Sequence, residues 1–129
     1  MKKFLNTPIC VDFDGTIVEH DYPRIGKPVP YAVETIKKLQ SMGANIVLFT
    51  MRSDGPLNEA VQYCKENGIV LYGINRNPSQ TWTNSPKAYG NYYIDDAAIG
   101  CPLIYIKGQR PYVDWLKVYQ IINARQEME

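Results

Sequence analysis

The sequence predicts a single α/β domain, a three-layer sandwich in which a mainly parallel, five-stranded sheet is covered on both faces. Three observations carry that reading. Short stretches such as 8–11 and 46–49 are apolar throughout, without the alternation of a half-exposed strand, as expected where both faces are buried. The segments joining the first three stretches carry apolar residues at helical spacing, which makes the crossovers helical and the strands they join parallel. Polar residues gather where the apolar stretches end, and in an open parallel sheet that carboxyl edge is where ligands bind. With 129 residues, the chain has room for one such domain and a core that needs no metal or disulfide staples.

The first predicted strand, 8–13, is expected at the centre of the sheet and ends in Asp12-Phe13-Asp14-Gly15-Thr16. Residues 18–29 have no sustained period and are rich in turn formers, so they form a loop or small flap. Pro30 opens a helix with Val33, Ile36, Leu39 and Met42 on one face and Gly43 at its C-terminal cap. The second strand, 45–49, closes on Thr50. Ser53-Asp54-Gly55-Pro56 starts the next helix, whose stripe is Leu57, Ala60, Val61 and Cys64, with Gly68 as its cap. The third strand is 69–72. A polar loop, 75–86, follows and leads to Lys87. The fourth strand, 91–94, ends in Asp95-Asp96, and the fifth is 103–106. Pro111 starts a final helix with Tyr112, Trp115, Leu116, Tyr119 and Ile122 on one face.

Charge and cysteine usage narrow the class. Fourteen Lys and Arg against thirteen Asp and Glu give a formal net charge of +1, with no polybasic run, which excludes a nucleic-acid-coating or membrane-surface protein. Cys10, Cys64 and Cys101 lie far apart in an odd count, which fits reduced thiols in a cytoplasmic protein. Asn6, Pro8 and Asp12 interrupt any signal-like segment after Lys2 and Lys3, and no stretch approaches the length of a membrane span.

Asp12 and Asp14 are the chemical centre. Period-two geometry sends both carboxylates to the same side at the end of an apolar strand. Unpaired, they raise each other's proton affinity. A divalent cation removes that cost, and oxygen ligands at this density suit Mg²⁺. In isolation, Asp-x-Asp-Gly is also an ordinary polar turn.

Taken with Thr50 closing the second strand, Lys87, and Asp95-Asp96 closing the fourth, the motif resembles the haloacid dehalogenase superfamily. The four elements stand in that family's order over about three-quarters of the chain, and it is the combination that is specific. The resemblance implies a Rossmann-like sheet and a Mg²⁺-dependent phosphatase. It implies Asp12 as nucleophile, Asp14 as general acid and base, Thr50 and Lys87 holding the phosphoryl group, and Asp95 with Asp96 helping to bind the metal. The chemistry of those residue types agrees. A carboxylate can form an aspartyl-phosphate intermediate, a second carboxyl can give and take the proton, and a lysine supplies charge to phosphoryl oxygens. From this the metal ligands expected are Asp12, the backbone carbonyl of Asp14, and Asp95 or Asp96.

Each residue also has an ordinary reading. Thr50 suits a strand end, Lys87 a solvated surface, and Asp95-Asp96 a helix cap. Arg52 either reaches a substrate anion or pairs with a surface acid. His20, Tyr22 and Arg24 in the flap, and Asn75 and Asn77 in the polar loop, serve either as substrate contacts or as packing and turn residues. Larger relatives in that superfamily carry a cap domain, and only short segments occupy its places here. A capless, open site leaves two options, a macromolecular substrate or a neighbouring subunit as cover. Ten tyrosines and two tryptophans favour the homo-oligomer through exposed aromatic surface. Two rival functions share these residues: a phospho-accepting receiver-like signalling domain, and a non-catalytic phosphate-binding or assembly module. The order of strands and lysine counts against the first, and the presence of both Asp12 and Asp14 against the second.

Overall fold

β1 (Pro8–Val11) is buried along its whole length and pairs in parallel with a neighbour on each side. The computed structural model, which describes residues 2–128, places β2 (Asn45–Leu48) on one flank of β1 and β4 (Tyr92–Ile94) on the other. β3 (Leu71–Ile74) extends the sheet beyond β2, so the order is β3-β2-β1-β4, all parallel. Val11 stands opposite both Leu48 and Ile94. The ladder runs one residue further, through Asp12 N–H to the Ile94 carbonyl at 2.9 Å, Phe49 N–H to Val11 at 2.8 Å and Asn75 N–H to Leu48 at 2.7 Å. That register brings Asp12, Thr50, Asn75 and Asp95 out along one rim.

α1 (Ala32–Ser41) and α2 (Asp54–Glu66) supply the crossovers from β1 to β2 and from β2 to β3. Gly43 and Gly68, two residues beyond the helix ends, have φ of 97° and 80°, the left-handed conformation that closes a helix. Together with α3 (Trp115–Glu127), these helices bury Ile36, Leu39, Ala60, Cys64, Trp115, Val118 and Ile122 against Ile9, Val11, Ile46 and Leu48. Alternation sends Cys10 and Val47 to the opposite face, where they pack with Ala88 and Phe49. The third layer is therefore formed by the irregular segment between β3 and β4 rather than by a helix.

Three expectations need correction. The sheet has four strands, not five. β5 (Leu103–Ile104) instead pairs antiparallel with β6 (Tyr112–Val113) in a separate two-stranded sheet, with Leu103 opposite Val113. Too few residues separate Ile94 from Leu103 for a parallel crossover, which takes about a dozen or more. Tyr112 is thus a strand residue; Asp114 caps α3 by accepting the Lys117 N–H at 3.2 Å, which starts the helix at Trp115 and leaves Leu116 exposed. The third strand lies two residues later than expected, because Val70 turns outward while Ile69 is buried.

The flap at 18–29 is stitched at its base: Val18 bridges Pro28, and Val29 N–H donates to the Ile17 carbonyl at 3.0 Å. Glu19 N–H donates to Lys27 at 2.8 Å, an approach possible because Gly26 has no side chain to strike the Glu19 carbonyl. Among the described residues no helix is long and apolar enough to cross a membrane.

Candidate functional site

After β1 the chain turns sharply through Asp14, Gly15 and Thr16, and three contacts hold that turn. Gly15 N–H donates to Val18 at 2.7 Å, Val113 N–H of β6 donates to the Gly15 carbonyl at 3.1 Å, and the buried indole of Trp115 donates to the Thr16 carbonyl at 2.7 Å. The segment misassigned from sequence thus braces the candidate nucleophile loop. Sequence reasoning assigns Trp115 and Thr16 no part in bracing this turn; nothing in the spacing ties residue 115 to residue 16.

The turn sets Asp12 beside Asp95 and Asp96. One carboxylate oxygen from each of the three lies within 4.8 Å of the others, and all three residues are half-buried. Thr16 Oγ1 donates to Asp12 Oδ2 at 3.2 Å and accepts the Asp96 N–H at 3.3 Å, joining the ends of β1 and β4. Burial, then the negative charge of Asp95 and the hydrogen bond and charge of Asp96, push the Asp12 carboxyl from 3.8 up to about 8. His20, from the flap, stands 2.7 Å from Asp96 Oδ2. Gly15 makes room for that pair: with φ of 80°, a Cβ there would lie 2.1 Å from His20 Nε2 and 2.5 Å from Asp96 Oδ2.

Asp14 is turned away from this cluster. Both its oxygens accept from Arg52, at 2.7 Å from Nη2 and 2.8 Å from Nε. Arg52 is 3 % exposed. Of the two alternatives weighed for it from sequence, it takes the pairing with an acid, but that acid is the part-buried Asp14 rather than one on the surface. The guanidinium reaches no open substrate position. Burial of such a group was invisible in a sequence where Met51 beside it is fully exposed. Thr50 sits at the rim, its N–H donating to Asn75 Oδ1 at 2.8 Å and its Oγ1 accepting the Arg52 N–H at 3.1 Å. Asn75, at φ 55°, is a turn residue that fixes Thr50, and buried Asn77 holds Tyr89 and Ser79 through its side chain. Arg24 pairs with Asp21 at the exposed flap tip.

Lys87 is not gathered with the acids. Its ammonium lies 5.3 Å from the centroid of the Tyr93 ring, at the edge of an open hollow of about 350 Å³ lined also by Trp82, Tyr89 and Gln80. Among the described residues it makes no ion pair.

The donor set fits a hard divalent cation. Three carboxylates crowd one point beside the His20 imidazole, and burial together with the charge of Asp95 and Asp96 raises the Asp12 carboxyl. Asp12, Asp95 and Asp96 would hold the ion. The Asp14 carbonyl accepts no backbone hydrogen bond among the described residues, whereas the Asp14 side chain is committed to Arg52. The thiols lie apart: burial pushes Cys10 up to about 11 and Cys64 to about 12, leaving both as inert core groups.

No protein-family model matches the chain, and no curated protein does. Among solved structures, a conserved protein from Bacteroides thetaiotaomicron is 37% identical, with a TM-score of 0.77 over 93% of this chain and 92% of that one. Identity and coverage of that extent mark a shared family and not merely a shared architecture: the chain belongs to the family of that conserved Bacteroides thetaiotaomicron protein.

Proposed function

We propose that this protein is a Mg²⁺-dependent phosphomonoester hydrolase of the haloacid dehalogenase type, working on a Rossmann-like sheet through an aspartyl-phosphate on Asp12. The observation that carries the reading is the cluster of Asp12, Asp95 and Asp96 at the carboxyl rim of a parallel sheet, with Asp12 on a tightly braced turn. Bound there, Mg²⁺ would neutralise charge between carboxylates and phosphate.

The chain's own residues divide the work. Asp12 attacks phosphorus, and the bond to the leaving alcohol oxygen breaks as that oxygen takes a proton from Asp14. Water then attacks the phosphorus of the acyl phosphate, giving its proton to Asp14; the bond to Asp12 breaks and inorganic phosphate departs. Thr50 on the rim offers its hydroxyl to a phosphoryl oxygen, and Lys87 swings from Tyr93 to supply the positive charge. Without a cap domain the site stays open to a phosphorylated substrate in a cytoplasmic setting.

A second reading has support of its own. Asp14 has both oxygens occupied and Lys87 lies over an aromatic ring, as a phosphate-binding module without turnover would allow. One experiment separates them. Under the hydrolase reading, a panel of phosphate esters shows Mg²⁺-dependent release of phosphate, abolished by chelation, and mass spectrometry finds a phosphoryl adduct on Asp12 that Asp12→Asn lacks. Binding of phosphate esters with no turnover, or turnover undiminished in excess chelator, defeats it.

A further inference from the structure

Arg52 has five N–H donors, and each has an acceptor. Nε and one Nη2 hydrogen go to the two oxygens of Asp14, and the other Nη2 hydrogen goes to the Arg24 carbonyl at 2.6 Å. Nη1 serves the carbonyls of Pro23 and Pro56, both at 3.1 Å. The ring centroids of Phe13 and Tyr22 lie 5.0 and 5.2 Å from its Cζ. One buried cation thereby joins Asp14, the tip of the flap and the first turn of α2, and it keeps no donor for a substrate. The same flap reaches the acid cluster through His20, 2.7 Å from Asp96. It is pinned at two points, one on each side of the turn that carries Asp12.

Each Asp14 oxygen gives one lone pair to Arg52 and keeps another, so the guanidinium fixes the plane and direction of the carboxylate without blocking it. Two of the five acceptors around Arg52 are flap carbonyls, so raising the flap removes part of what fixes the guanidinium. We propose that Arg52 is a positioning residue that acts through Asp14 and couples it to the flap: it holds the Asp14 carboxylate in one orientation, and the flap carbonyls hold the guanidinium in turn. The inference rests on the phosphatase reading for what Asp14 does, and on the geometry alone for the tether.

Two measurements test it. In the first, Arg52→Gln and Arg52→Lys are assayed with Mg²⁺ on an alkyl phosphate and on an activated aryl phosphate, alone and combined with Asp14→Asn. The alkyl ester needs a proton on its leaving oxygen, so kcat should fall about tenfold or more with KM within about threefold, while formation of phosphoenzyme from the aryl ester falls much less. In the Asp14→Asn background, removal of Arg52 should cost less than about twofold more. Equal losses on both esters, or losses that multiply with Asp14→Asn, would overturn a role through Asp14. The second measurement needs no activity. Trypsin has one productive flap site, after Arg24, since Lys27 precedes Pro28. Cleavage there should accelerate in both Arg52 variants and in Asp14→Asn, at a temperature where circular dichroism shows all of them folded. Unchanged cleavage in every variant overturns the tether. Inactive wild-type enzyme with accelerated flap cleavage refutes the phosphatase reading and supports the tether.

Discussion

Two ionic clusters lie within one turn of chain, and they are opposites. Around Arg52, positive charge and donors are matched in full: a bidentate carboxylate, three carbonyls and two aromatic faces enclose a guanidinium that is 3 % exposed. Around Asp12, three carboxylates converge with only a histidine beside them, and one is pushed far above the usual carboxylate range. A charge-matched buried network stabilises and fixes geometry, whereas crowded like charges cost free energy in the absence of a ligand. The difference separates framework from candidate binding site, although both clusters come from a single Asp-x-Asp pair. Alternation would have put the two carboxylates together; the turn at Gly15 parts them.

Breaking the matched cluster should have the largest effect on the fold. Arg52→Ala leaves Asp14 and three carbonyls without partners, and should lower stability by about 3–5 kcal/mol in urea unfolding. Gly15→Ala comes next. Its Cβ overlaps His20 and Asp96 at a φ of 80°, so a loss of about 2–3 kcal/mol and weaker Mg²⁺ binding are expected by thermal shift and calorimetry.

The unmatched cluster should respond with the opposite sign. Without metal, Asp12→Asn removes a repelled carboxylate and should stabilise the protein by roughly 1–3 kcal/mol at pH 8, while abolishing the rise in Tm that Mg²⁺ gives the wild type. The pH dependence follows from the same shift. The folded chain keeps on Asp12, up to about pH 8, a proton that the unfolded chain gives up near 3.8. This contribution is therefore fully present below pH 4 and lost as the pH rises to 8. Mg²⁺ binds the ionised form, so its affinity should climb over the same window, and in Asp12→Asn both slopes should flatten. The smallest effect on stability belongs to Lys87→Ala, within about 0.5 kcal/mol, because its ammonium touches only the Tyr93 ring. If that ammonium swings to the phosphoryl group, turnover should nonetheless fall roughly 10²-fold. Unchanged kinetics would assign Lys87 to the surface.

What the sequence reveals depends on range. β1, β2 and β4, both helical crossovers and their glycine caps are local patterns, and they stand within a residue or two of where apolar runs and turn residues put them. The rim of Asp12, Thr50, Asn75 and Asp95 follows from strand ends alone. The direction of a strand is not local: the apolar stretch at 103–106 reads the same whether it joins a parallel sheet or folds back on Tyr112 and Val113. The stripe from Tyr112 to Ile122 likewise continued through Asp114, which ends one element and begins another. Arg52 and His20 both stand out as candidates, but their partners are not legible: whether an arginine is enclosed depends on the flap arriving from 28 residues away, and Asp96 lies 76 residues beyond His20.

The β1–β4 pairing has a kinetic consequence. Asp12 and Asp96 are brought together only when the last strand of the sheet docks beside the first, across the intervening α1, β2, α2 and β3. Such long-range parallel contacts form late and slowly, since the entropy of loop closure is spent before any contact rewards it. A partly folded chain, even with its first three strands paired, has Asp12 but no partner acids. An ion held by the cluster would then bind the finished fold and leave earlier states unaffected, slowing unfolding without hastening folding. Ion binding would in this way report that the chain has been completed through β4.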